Sequence, residues 1–142
     1  MTVSVKVDSA STLRALKQLT DDVRDKGQQV ALTQAGLVVE RAAKVKLSEN
    51  GRHPEGTPTP SAPGSPPSII SGTLRASVKT FKPVKRGFGQ YSILVGPTVV
   101  YGRIQELGGG NLPPRPYMQP AADLSERDVR NVYINALRKY TS

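Results

Sequence analysis

Between residues 54 and 67 the chain carries six of its twelve prolines, Pro54, Pro58, Pro60, Pro63, Pro66 and Pro67, with Gly, Ser and Thr among them. No helix or sheet interior passes through such a stretch, because each proline removes a backbone donor and fixes φ. The segment and its flanks, about 49–71, are therefore expected to form an extended, exposed and flexible internal loop, either disordered in the free protein or ordered against a partner. With 142 residues in all, the chain holds too little sequence for two independent cores, so a single domain is expected around this loop.

Hydrophobic periodicity predicts the elements on either side. Val3, Val5 and Val7 alternate with polar residues as in a half-buried strand, and Asp8 and Ser9 offer caps for a helix. Leu13, Leu16, Leu19 and Val23 predict that helix over about 11–26, with Gly27 as its end. A second helix over about 28–47 places Val30, Ala31, Ala35, Val38, Ala42 and Val45 on one face, with Glu40 and Lys44 as an i, i+4 pair and Gly36 inside it. Beyond the loop, residues 71–77 read as one helical turn. Val78–Val84 and Tyr91–Val95 then read as two strands of an antiparallel hairpin, with Pro83 marking an edge or a bulge. Val99–Leu107 predicts a short helix ended by Gly108. Val129, Val132, Tyr133, Ala136, Leu137 and Tyr140 stripe a final helix that begins between Met118 and Ser125, with the early start favoured by Pro120. The order is roughly βααββαα, an α+β domain with helices packed on a small antiparallel sheet.

The residue inventory points away from catalysis. There is no cysteine, and His53, the one histidine, lies beside Pro54 within the flexible loop with nothing to complete a metal site. Asp21, Asp22 and Asp25 are interleaved with Lys17, Arg24 and Lys26, as on a solvated helix face. Neither a Gly-x-Ser-x-Gly elbow nor a P-loop is present. No catalytic, cofactor-binding or metal-binding residue is assigned, and no small-molecule substrate is expected. The N-terminus lacks the apolar core of a signal peptide, and no apolar run approaches the ~20 residues of a spanning helix. A soluble protein kept inside the cell, without a membrane partner, is therefore expected. Charge is the informative feature: the formal net charge is +9, and residues 56–105 hold Arg75, Lys79, Lys82, Lys85, Arg86 and Arg103 with no acid. On a regular strand Lys79 and Lys85 share one face and Lys82 takes the other, so only part of this charge forms one patch. Arg75, Lys79, Lys82, Lys85 and Arg86 are the candidate contacts to phosphate or to an acidic protein surface. Phe81, Phe88 and Tyr91 nearby suit either base stacking or a core.

Three segments carry a family likeness: residues 71–77 (Ser-Gly-Thr-Leu-Arg-Ala-Ser), residues 101–108 (Tyr-Gly-Arg-Ile-Gln-Glu-Leu-Gly) and residues 114–121 (Pro-Arg-Pro-Tyr-Met-Gln-Pro-Ala). In this order and spacing they resemble the tail-completion, or head-tail joining, proteins of long-tailed bacteriophages, over about residues 10–140. Ser71 stands where threonine is common, Tyr117 replaces the usual phenylalanine, and the proline loop is longer than typical. The resemblance implies a non-enzymatic virion protein at the neck or tail, assembled in the host bacterial cytoplasm as a ring of copies, sixfold in the family. It implies as partners the tail terminator or tail tube protein and the head connector (stopper) proteins, with the basic hairpin facing either DNA in the channel, through non-specific contact, or an acidic protein ring. Pro114, Pro116 and Pro120 would stiffen the approach to the last helix and lower the entropy lost on burying Tyr117 and Met118. Tyr101 and Leu107 would pack inside the domain. Gln105, Glu106 and Arg115 would fix that turn or reach across a subunit boundary. The charge permits a second reading, a small basic DNA-binding or DNA-packaging accessory protein.

Overall fold

A computed structural model describes residues 2–4, 21–56 and 61–141. The strand residues 5–7, the predicted helix over 11–20, and Pro58 and Pro60 lie outside the described residues. In chain order the elements are β1 (Thr2–Ser4), α1 (Asp21–Lys46), α2 (Thr73–Ser77), β2 (Val78–Thr80), β3 (Val84–Gly87), β4 (Gln90–Pro97), α3 (Tyr101–Leu107) and α4 (Met118–Thr141). The fold is a single α+β domain in which two long helices pack on a small antiparallel sheet.

Strand β4 is the hub of that sheet and pairs antiparallel with each of the other three strands. Its alternation puts Tyr91, Ile93 and Val95 into the core and leaves Leu94 on the outer face. Strands β2 and β3 form one arm of the expected hairpin, broken where Pro83 stands. Thr80 pairs with Val95 and the Phe81 amide donates to the Leu94 carbonyl, but Val84 pairs with Ser92. One residue more is spent on this arm than on β4 between those points, and a second shift falls between Lys85 and Gly87. Because side chains alternate with period two, one extra residue reverses the faces beyond it. The expectation that Lys79 and Lys85 share a face is thereby overturned. Lys79 lies opposite Gly96 on the outer face, whereas Lys85 lies opposite Tyr91 on the helix side.

Helix α1 is one element where two were expected. It runs through Gly27 without ending, since Gly27 marks a helix crossing: a Cβ there would stand 3.2 Å from Cγ of Tyr140 on α4. At Gly36 a Cβ would stand 2.6 Å from Cγ2 of Thr80 and 3.0 Å from Cδ1 of Ile93, so this glycine lets the helix lie directly on the sheet. The buried stripe is Ala31, Leu32, Ala35, Val39, Ala43 and Leu47. Ala31 and Ala35 are buried as expected, but beyond them the stripe is rotated from the expected face, leaving Val45 exposed and Val38 and Ala42 half-buried at the margin. Small residues dominate the stripe because it must admit α4 on one side and β4 on the other.

Helix α4 follows its predicted pattern, with Val129, Tyr133, Ala136 and Leu137 buried against α1 and the start at Met118. The Tyr133 hydroxyl donates to Gln28 Oε1 at 2.6 Å, joining the two helices through a buried polar contact, and burial pushes that hydroxyl up to about 12. Glu40 pairs with Lys44 at 2.7 Å as its spacing predicts. Its second oxygen also accepts from the Thr80 amide (2.9 Å) and hydroxyl (2.8 Å), tying α1 to the sheet. The proline loop is anchored at both ends. His53 N–H donates to the Ile69 carbonyl and Ile69 N–H to the Gly51 carbonyl, while Gly64 N–H donates to the Pro114 carbonyl.

Candidate functional site

The second and third motif segments converge at the start of α4. An α-helix begins with backbone N–H groups that have no partner within the helix. Here Glu106, on α3, collects them: Oε2 accepts from Tyr117 N (2.7 Å) and Met118 N (2.9 Å), and Oε1 from Gln119 N (2.9 Å). The next residue, Pro120, has no N–H to satisfy, so one carboxylate and one proline close the helix end completely. The negative carboxylate also lies at the positive end of the helix dipole.

Tyr117 is fully buried beneath this cap, and its hydroxyl donates to the Gly102 carbonyl at 2.9 Å. Burial, with Glu106 and Tyr101 adding to it, drives the Tyr117 hydroxyl far above its ordinary value. Residue 102 must be small, since a Cβ would fall 2.6 Å from the Pro97 ring. Gly108 ends α3 at φ +75°, where any Cβ would also meet the Leu112 carbonyl at 2.9 Å. The Arg115 amide donates to the Gln105 carbonyl at 2.6 Å, and its guanidinium reaches the Ser61 carbonyl at 3.2 Å, fastening the proline loop to the same knot. The structure thus brings Gln105, Glu106, Arg115, Tyr117, Met118 and Pro120 together within one chain. Pro114 contributes its carbonyl to Gly64, and Pro116 is half-buried beside Tyr117.

The expectation that Tyr101 and Leu107 pack inside the domain is not met. The inward side of α3 is occupied by Gly102 and by the capping carboxylate, which leaves no room for large side chains there. Val100 (87% exposed), Tyr101 (44%), Ile104 (39%) and Leu107 (64%) face outward instead. A short helix, held rigidly by its polar side, therefore presents its apolar side to solvent. A second apolar surface lies between α1 and α4, a groove of about 490 Å³ floored by Val38, Ala42, Val45, Ala121 and Leu124. Periodicity assigns Val38, Ala42 and Val45 to the core, so the groove is hidden in the sequence by the one-position rotation of the α1 stripe.

The basic residues do not gather into one patch. Lys85 is bound to Asp25 at 2.9 Å, and that hydrogen bond, with a contribution from Tyr91, holds the Asp25 carboxyl below the usual carboxylate range. Arg86 donates to Ser92 Oγ at 2.8 Å on the outer face, and Arg75 on α2 donates to the Lys44 carbonyl at 3.3 Å. Lys79 and Lys82 are exposed at the bulged edge. The aromatic side chains separate likewise: Tyr91 is core, Phe81 is on the outer face, and Phe88 lies under the Arg24 guanidinium at 4.4 Å. His53 hydrogen-bonds the Asn50 carbonyl at 3.2 Å. Among the described residues no three His, Cys, Asp or Glu side chains are placed to hold a metal ion, and no helix is long and apolar enough to cross a membrane.

Residues 10–108, more than half of the chain, match the family model described as "Bacteriophage HK97-gp10, putative tail-component". No curated protein and no solved structure gives a significant match.

Proposed function

This chain belongs to the HK97-gp10-like family of bacteriophage tail components, and from that membership we infer a non-enzymatic structural role, completing the tail and joining it to the head at the neck. In this reading copies of the chain form a ring about the tail axis, sixfold as in the tail-completion proteins that the motif segments resemble. Its neighbours are the tail terminator or tube protein on one side and the head connector on the other.

The observation that carries the reading is the outward apolar side of α3. The residues that would make a catalytic cleft interesting, Glu106, Tyr117 and Arg115, are consumed in closing the start of α4. What that closure holds in place is a rigid apolar surface, which is the equipment of a protein whose task is assembly. Repeated copies around an axis multiply modest contacts, so no single interface has to be strong. The test is a lysate of the encoding phage with this gene deleted. Filled heads and finished but unjoined tails, joined on adding the purified protein, are expected; intact virions, or a complete lack of tails, would overturn the neck assignment.

The acid-free stretch over 56–105 favours one second reading, a DNA-binding accessory. The bulge at Pro83 weakens it by distributing the cations over two faces and committing Lys85 to Asp25.

A further inference from the structure

We propose that α4 is exchanged between copies: the helix leaves α1 of its own chain and takes the same seat on α1 of the next. This rests on the ring reading above and supplies its joint. The packing of α4 on α1 is the most extensive between any two elements among the described residues. It buries Val129, Tyr133, Ala136 and Leu137, carries the Tyr133–Gln28 hydrogen bond, and is completed by the Glu106 cap. On its N-terminal side all of this is joined to the fold through one linker, residues 108–117.

That linker consists of a hinge and an arm. Gly109 and Leu112 exchange backbone hydrogen bonds, 3.1 Å one way and 2.9 Å the other, closing a two-residue turn at Gly110 and Asn111. The turn depends on Gly110 at φ +56°. In the arm, Pro113, Pro114 and Pro116 fix φ and hold the residues before them extended, so bending falls to the glycine turn. Straightening it breaks the Gly109–Leu112 hydrogen bonds. The hydrogen bonds made from Pro114 onward, to Gly64, Gln105, Glu106 and Gln28, are all available unchanged on a neighbouring copy. From Gly108 to Pro114 the extended chain spans about 20 Å, or roughly two helix diameters, which sets α4 on an adjacent copy.

Charge favours this joint over one made between outer surfaces. Each copy carries a formal +9, and residues 56–105 hold no acid, so copies brought face to face repel. Exchange needs no complementary patch. The interface is the core contact itself, as in obligate assemblies whose interfaces resemble a divided core, and the Tyr133–Gln28 and Glu106 hydrogen bonds form between copies as they do within one chain. One-way exchange about an axis closes a ring, and reciprocal exchange closes a dimer. Because the linker leaves α3 at Gly108, the copy that receives α4 lies beside the end of α3.

The helix crossing supplies the test. A Cβ at Gly27 stands 3.3 Å from Cβ of Tyr140, close to the roughly 3.5–4.5 Å of a disulfide, and the chain has no cysteine of its own. Gly27→Cys and Tyr140→Cys are made in separate chains, mixed in equal amounts, unfolded in guanidinium chloride, refolded together at the highest soluble concentration and oxidised. A 27–140 link between chains forms when α4 of one sits on α1 of the other, whereas 27–27 and 140–140 links report collision. The 27–140 product, identified by mass, is expected to exceed either homodimer by about tenfold or more. A 27–140 product no more abundant than random pairing gives overturns the exchange. Gly110→Pro in the cysteine-free chain gives a second measurement: proline cannot take φ +56°, so the turn straightens. Light scattering should then show more discrete dimers or rings than the unmodified chain forms at the same concentration, and an unchanged monomer overturns the exchange. The size of the 27–140 species separates this proposal from the ring reading. Linked rings sustain both, and a linked closed dimer keeps the exchange and discards the ring. Large assemblies without the link keep the ring and discard the exchange. Single chains without the link overturn the exchange, and the ring reading is then decided by the gene-deletion lysate.

Discussion

At the scale of single residues, Glu106 is the most consequential side chain in the molecule. It lies on the preceding short helix, 12 residues before Met118, and accepts three N–H groups at the start of α4. Glu106→Ala leaves those donors without a protein partner and should cost about 2 kcal/mol or more, whereas Glu106→Gln keeps one acceptor oxygen and should cost about half as much. Denaturant unfolding of the two variants checks the ranking, and equal stabilities would contradict the capping role. Two carboxylates give the fold an acid limit. The Lys85 hydrogen bond lowers Asp25. At Glu40 burial opposes ionisation, but hydrogen bonds from Lys44 and Thr80 outweigh it and the carboxyl is lowered too. A carboxyl lowered in the folded state stabilises above its unfolded value, near pH 4, and that stabilisation is lost as pH falls through the folded value. Tyr133 gives the opposite limit. Raised to about 12 by burial, it stabilises fully below its unfolded value, near 10, and progressively less above it. The melting temperature should therefore be level near neutrality and fall below about pH 4 and above about pH 10, and Tyr133→Phe should lessen the alkaline fall without removing it, because burial raises Tyr117 and Tyr91 as well.

At the scale of elements, the two glycines of α1 separate helix propensity from packing. Replacing a helical glycine by alanine gains about 1 kcal/mol in propensity. At Gly36 the new methyl collides with Thr80 and Ile93, and the overpacking cost of about 1–3 kcal/mol outweighs that gain. At Gly27 the neighbour is the ring of Tyr140, half-buried near the end of α4 and able to shift. Gly36→Ala should be destabilising and Gly27→Ala close to neutral, as thermal melts of the two variants will show. The same glycines show what is legible in the sequence. Period and spacing are enough for α4, the short helix ended by Gly108, the hairpin and the Glu40–Lys44 pair, because each depends on residues close together in the chain. Gly27 reads as a stop because its reason for being small, Tyr140, is more than a hundred residues away. The buried stripe of α1 agrees with the expected face at Ala31 and Ala35 but departs beyond them, because Val39, Ala43 and Leu47 are as apolar as Val38, Ala42 and Val45 and only the packing of α4 and β4 selects between the two sets. The motif segments are recognisable as a pattern, but the reason for them, a carboxylate capping the next helix over a buried tyrosine, is a three-dimensional fact. So is the placement of Lys79 and Lys85, whose faces depend on a bulge that Pro83 announces without giving its register.

At the scale of the whole molecule, residues 56–105 carry cations without an acid while the two signs are interleaved elsewhere, and the exposed apolar side of α3 lies at the end of that acid-free stretch. The basic hairpin belongs to this scale as well. Changing Lys79, Lys82, Lys85 and Arg86 to glutamine should leave salt-dependent binding to a DNA duplex nearly unchanged, because the four are divided between faces and Lys85 is held by Asp25. A loss of binding by more than tenfold would revive the DNA-binding reading. The most direct test of the assembly account is electron cryomicroscopy of the intact virion, averaged about the tail axis, with this chain located in the density. The account predicts one ring of copies at the head-proximal end of the tail, with the α3 face of each directed at its neighbour. Copies distributed along the full length of the tail, or none in the virion, would contradict it.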